Sequence, residues 1–168
     1  MPKFATFSES ICDKPSKVDR EAGIIRGVSI LGPESSNTVS PRSTKRLYPK
    51  KLREAKASSV NGRPAYLNHG KTKGPRDFQE AVGVWENGRF DSQTDRTVAD
   101  LRCKQSHPCY ALLMESAENF AGTFGMSIAA QGSYRVDGTI EIVEDISKIQ
   151  SVDVVTDPAT VTSLFEGR

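Results

Sequence analysis

The chain has 168 residues and a mass of 18.4 kDa, enough for one domain, or one domain with a tail. Apolar and aromatic residues make up 36% and charged residues 26%, mean hydropathy is −0.46, and no apolar run nears the ~20 residues a bilayer span needs, which excludes a membrane protein built on helices. The net charge of +2, from 23 Lys and Arg against 21 Asp and Glu, is too balanced to point to nucleic acid, and the polar N-terminus lacks the apolar stretch of a secretory signal.

Residues 1–22 are polar, with Pro15 among scattered charges, and read as an arm or a weak edge segment. Residues 24–31 (IIRGVSIL) carry apolar side chains in both alternating sets, the pattern of a strand covered on both faces, and Gly32-Pro33 ends it. Residues 33–44 read as loop. A short helix follows Pro49, and the run from Lys45 to Lys56 holds six cations and one Glu. That run is either an anionic-partner patch or a solvated face; with Tyr48 as its one aromatic residue it lacks the stacking rings of single-strand binders.

Asn61-Gly62 marks a turn, RPAYLNHG a short strand ending at His69 and Gly70, and FQEAVGVWE a further strand with Asn87-Gly88 as a tight turn after it. Residues 91–106 read as irregular, with a turn of helix at TVADLR. Ser106 to Gly122 reads as the clearest helix. Ser106 is its cap, Pro108 sits in its first turn, and Tyr110, Leu113, Met114, Ala117, Phe120 and Ala121 form one apolar stripe. FGMSIAAQ, bounded by Gly132, then TIEIV and IQSVDVVT give three more strands, and TVTSLFEG a final helix. Six or seven strands and three helices without strict alternation favour an α+β, largely antiparallel or barrel arrangement.

Cys12, Cys103 and Cys109 are an odd set, which fits reduced thiols better than a disulfide framework. Cys103, His107 and Cys109 offer C-x3-H-x-C without a fourth ligand, so zinc is not expected. Three other positions invite chemistry. His69 stands at a strand end beside a glycine, where a ring can be held yet reach a cleft. Ser127 is the polar residue of an apolar strand, with Gly125, Ala129, Ala130 and Gly132 leaving room for a carbonyl to approach. Asp153 is an acid in mid-strand among valines and needs a partner there. Each also has a plain alternative: an incidental histidine, a small core serine, and a salt bridge to Lys or Arg.

Taken together and in this order, GIIRGVSILGPES, the Tyr48–Lys56 helix, RPAYLNHG, GMSIAAQG and SVDVVTDPATVTSLFE resemble the prohead (capsid maturation) serine proteases of tailed bacteriophages, distant relatives of the herpesvirus assemblins. The resemblance covers about residues 23 to 166. It implies a partly closed, mainly antiparallel β-barrel flanked by helices, with residues 1–22 as an N-terminal arm and 23–168 as the protease domain. It implies His69 as general base and Ser127 as nucleophile. Asp153, 26 positions after Ser127, is taken as the third member, with Glu141 in reserve. No cofactor or metal is implied. The substrates implied are the scaffolding protein, the major capsid protein and the chain itself, cut inside the procapsid in the host cytoplasm; no membrane or nucleic-acid partner is expected, and homo-oligomerisation stays open. The rival readings are an inactive assembly protein on the same fold and a nucleic-acid-binding module using the basic run.

Overall fold

The computed structural model describes residues 2–11, 17–68 and 74–155. In chain order the strands are β1 (Lys3–Ile11), β2 (Lys17–Asp19), β3 (Ile24–Leu31), β4 (Glu34–Ser35), β5 (Lys45–Leu47), β6 (Pro64–Tyr66), β7 (Ala81–Asp91), β8 (Arg96–Cys103), β9 (Gly125–Asp137) and β10 (Ile140–Val155). Helix α1 (Lys50–Lys56) runs on into a 3₁₀ turn at Ala57–Val60, a second such turn covers Phe78–Glu80, and helix α2 spans Tyr110–Asn119.

The ladders form two five-stranded sheets. One has the order β1-β9-β10-β5-β4 and the other β2-β3-β8-β7-β6. Among the described residues the strands pair antiparallel except β5 with β10. The α+β, mainly antiparallel expectation is met, but the sheets do not close into a barrel. They meet instead at a seam, through the parallel bridge Leu67↔Val154. Trp85, fully buried on β7, donates its indole N–H to the Val152 carbonyl (3.0 Å) and ties the sheets together just below that bridge. A shared core of Phe7, Ile25, Ile30, Leu101, Met126, Ile128 and Val152 fills the space between them.

Of the N-terminal segment read as arm or weak edge, Lys3–Ile11 form an edge strand, with β1 paired to β9 over nine positions, and β2 lies at an edge of the other sheet. Four boundaries differ from the sequence expectation, each for a physical reason. β7 passes straight through Asn87-Gly88. Asn87 takes a left-handed φ of 54° at a bulge rather than in a hairpin turn. The segment read as irregular is β8, whose alternation is hidden because Arg96, Thr97 and Asp100 are buried along with its apolar residues. Asp100 accepts from the Gly27 N–H (2.9 Å), Asn87 (3.1 Å) and Arg89 (3.2 Å), so one carboxylate serves bulges on both neighbouring strands. β9 continues past Gly132, because the Asp145 carbonyl lies where a Cβ would stand, 2.0 Å from it, and only glycine fits. TIEIV and IQSVDVVT are one long strand, β10, carrying three register shifts.

Helix α2 is shorter than its apolar stripe. Its N-cap is Cys109 without a side-chain cap, and the ring of His107 accepts the Cys109 N–H (3.0 Å) in place of Ser106. Leu113, Met114 and Ala117 are buried, while Phe120 is its C-cap and exposed. The closing helix read at TVTSLFEG lies outside the described residues.

Candidate active site at the seam between the sheets

The site begins with strand alternation. On β9 and β10, Met126, Ile128, Val152 and Val154 point into the core, so Ser127 and Asp153 stand on the opposite face. The register makes these two direct partners, Asp153↔Ser127. Side chains directly opposite in an antiparallel pair share a face, with Cβ atoms about 4.5–5.5 Å apart. Both are almost wholly buried, Ser127 at 0% and Asp153 at 1% exposure. On the far side of β9, Ser8 of β1 brings its hydroxyl oxygen to 3.5 Å from that of Ser127.

The third segment arrives from the other sheet. β6 ends at Tyr66, Leu67 bridges to Val154, and the Asn68 N–H donates to the Val154 carbonyl (2.7 Å). Asn68 has a left-handed φ of 61°, a conformation asparagine tolerates better than most residues. The residue immediately before His69 is therefore fixed against the strand that carries Asp153. His69 itself lies outside the described residues.

A residue that the sequence reading missed completes the described part of the site. Arg76 donates through Nη1 to Asp153 Oδ2 (3.0 Å) and through Nη2 to the Asn68 carbonyl (2.5 Å). Its guanidinium lies 4.4 Å from the centre of the Tyr66 ring, and Glu80 sits 3.5 Å from it. The sequence signal was the need of a mid-strand carboxylate for a cation; nothing in the spacing singled out Arg76 from the other cations.

Glu141, the reserve third member, is elsewhere. It pairs with Val136, nine positions along β9 from Ser127, which is about 30 Å of strand. It accepts the N–H groups of Val39 (2.9 Å) and Ser40 (2.7 Å) and the guanidinium of Arg46 (3.0 Å). Burial alone would raise its pKa, but those backbone N–H groups and Arg46 hold it below the ordinary value. Arg46 also pairs with Glu9 (2.6 Å), which Tyr48 hydroxyl contacts at 2.7 Å. Burial pushes the Glu9 carboxyl up, against the pull of Ser35, Tyr48 and Arg46. This is a buried structural network.

His107 is likewise engaged. Its Nδ1 accepts from Cys109, so Nε2 carries the proton and donates to the Gln79 carbonyl (2.6 Å). Burial pushes the Cys103 thiol up to about 12, which leaves it unreactive. Among the described residues no group of three or more His, Cys, Asp or Glu side chains is placed to hold a metal ion. Most cations of the basic run have partners within the chain: Arg46 and Arg53 are buried, Arg53 pairing with Asp95, while at the surface Lys45 pairs with Glu34, Lys50 with Glu54 and Lys56 with Asp145. Among the described residues no helix is long and apolar enough to cross a membrane.

No family model and no curated protein matches this chain. A solved structure does: that of the bacteriophage T4 capsid assembly protease gp21, with a TM-score of 0.53 over 92% of this chain and 98% of that one, at 18% sequence identity. The chain has the fold of a phage capsid assembly protease. At that identity the likeness is one of fold. It is nonetheless the kind of protein that the ordered sequence segments resemble, and a fold match and a set of local motifs are separate observations.

Proposed function

We propose that the chain is a serine endopeptidase of phage head maturation, with Ser127 as nucleophile, His69 as general base and Asp153 as the residue that orients the base. The observation that carries this reading is the convergence at the seam: Ser127 and Asp153 are register partners, and the residue preceding His69 is hydrogen-bonded to the strand of Asp153. Three segments far apart in sequence meet where two sheets join. A structural role for any one of them would not require that meeting.

The chemistry is acyl transfer. His69 takes the proton of the Ser127 hydroxyl as Oγ bonds to the carbonyl carbon of a peptide. The imidazolium, steadied by Asp153, returns that proton to the leaving amine as the C–N bond breaks. Water then attacks the acyl-enzyme, His69 takes its proton and passes it to Ser127. The substrates are the scaffolding protein, the major capsid protein and the chain itself, inside the procapsid in the infected cell. Kinship with the herpesvirus assemblins belongs to the same proposal.

A second reading rests on the burial of Ser127: a hydroxyl with no exposed surface cannot meet a peptide until its cover is displaced. An enzyme held latent until assembly has this property, and so has an inactive assembly protein on the same fold. Intact-mass analysis separates them. Wild type and Ser127→Ala are each co-expressed with the neighbouring capsid and scaffold proteins. Truncated products with wild type alone establish the peptidase and its cleavage sites; identical, uncut masses under assembling conditions favour the inactive protein.

A further inference from the structure

Arg76 has a placement that an ordinary salt bridge does not need. Its guanidinium spans two sheets: one nitrogen holds the Asp153 carboxylate of β10, and another holds the Asn68 carbonyl at the end of the β6 segment. Across this seam the strand ladders contribute the bridge Leu67↔Val154. Asn68 is thus held at both its backbone groups, its N–H by Val154 and its carbonyl by Arg76, in a left-handed conformation that its surroundings must maintain. The Tyr66 face supports the guanidinium plane, and Glu80 faces it from the neighbouring turn. Arg76 is largely buried, with 19% side-chain exposure, and Asp153 is almost completely so.

We infer that Arg76 is a positioning residue of the proposed reaction: one guanidinium fork sets the distance between the Asp153 carboxylate and the backbone that leads into His69. The inference rests on the serine-peptidase reading. A base must be held within about 0.5 Å and 10–20° of its working geometry. Here Asn68 follows β6 and the Asp153 carboxylate stands on β10 of the other sheet; the Leu67–Val154 bridge and the Asn68 N–H bond join their backbones but do not orient the carboxylate. A planar fork with two donors a set distance apart does. A lysine could supply the charge but not both contacts in one plane. Arg76 acts through Asp153 and Asn68.

The test uses the full chain, alone and co-expressed with the capsid and scaffold proteins, and a fluorophosphonate probe that reacts with activated serines. Ser127→Ala reports background labelling. Arg76→Ala should lower the maximal labelling rate by about 10- to 100-fold, with the probe concentration for half-maximal rate little changed. Arg76→Lys should stay slow, because charge without the fork is not enough. Low millimolar guanidinium should restore Arg76→Ala and leave wild type unchanged. Added to Asp153→Asn, Arg76→Ala should cost clearly less than it does in the wild-type background, since the two share the carboxylate. Labelling of Arg76→Ala at the wild-type rate or faster overturns the inference. So does slow labelling that guanidinium does not restore, or that multiplies with Asp153→Asn: that is a brace for the fold, visible as a lowered unfolding midpoint. Absence of Ser127-dependent labelling in wild type, alone and with the head proteins, removes the serine-peptidase reading and this inference with it.

Discussion

The two ends of the β9–β10 pair each bury a carboxylate, and they do so in different ways. At one end Glu141 is enclosed by backbone N–H groups and by Arg46, all from loop and strand within its own sheet. At the other end Asp153 faces a hydroxyl, and its described cation comes from a segment of the opposite sheet's side of the seam. The first arrangement fixes the charge and offers nothing to a reacting molecule. The second places a carboxylate, a hydroxyl and the approach to an imidazole at one junction. Burial of an acid is thus a poor guide to chemistry; what matters is which elements deliver its neighbours.

Substitution can break this contrast. The largest effect is expected for Ser127→Ala and His69→Ala, which should abolish processing of co-expressed head proteins by intact mass while the fold persists. Asp153→Asn should reduce cleavage strongly but less completely, by up to about 10⁴-fold. Glu141→Gln should leave cleavage per folded molecule unchanged; a silent Asp153→Asn with a damaging Glu141→Gln would reverse the assignment of the two ends. Stability should respond the other way round. Arg46→Ala leaves Glu9 and Glu141 buried without their shared cation and should cost about 3–5 kcal/mol in urea unfolding.

Smaller effects sharpen the picture of the seam. Trp85→Phe removes the indole N–H from the Val152 carbonyl and should cost about 1–3 kcal/mol. Gly132→Ala drives a methyl into the Asp145 carbonyl and should cost about 1–3 kcal/mol, read as a shift in the urea midpoint. Acid titration gives a further measure. Glu141 and Asp100 are both held below their ordinary values of 4.5 and 3.8. Their contribution is complete above those values and is lost as pH falls through the lower folded ones. Glu141→Gln should flatten that acid limb. Least of all is expected from Lys50→Glu with Lys51→Glu, which should leave processing unchanged, since these cations lie on a solvated helix.

Much of this was legible in the residues, and the gaps have definite causes. β3 showed itself because apolar residues occupy both of its alternating sets, and the α1 region because Pro49 opens it. β8 was hidden because Asp100 is a buried charge whose partners, Gly27, Asn87 and Arg89, lie on other strands, which a local pattern cannot reveal. Gly132 looked like a strand end because the carbonyl that demands it approaches from Asp145, again across the sheet. The nucleophile and acid candidates stood out as polar residues in apolar strands. Arg76 did not, since an arginine in a basic, glycine- and proline-containing stretch looks like any solvated cation until the seam brings Asp153 to it.

The pairing of β1 with β9 bears on how the chain is made. Ser8 and Ser127 are 119 positions apart, so at about 5–20 residues per second the first strand waits roughly 6–24 s for its partner to be synthesised. During that interval it is an unpaired edge, the kind of segment that recruits other chains. Its polar residues Lys3, Thr6, Ser8, Glu9 and Ser10 suit that wait. Ser127 likewise has no β10 partner until Asp153, near the end of that strand, has been synthesised.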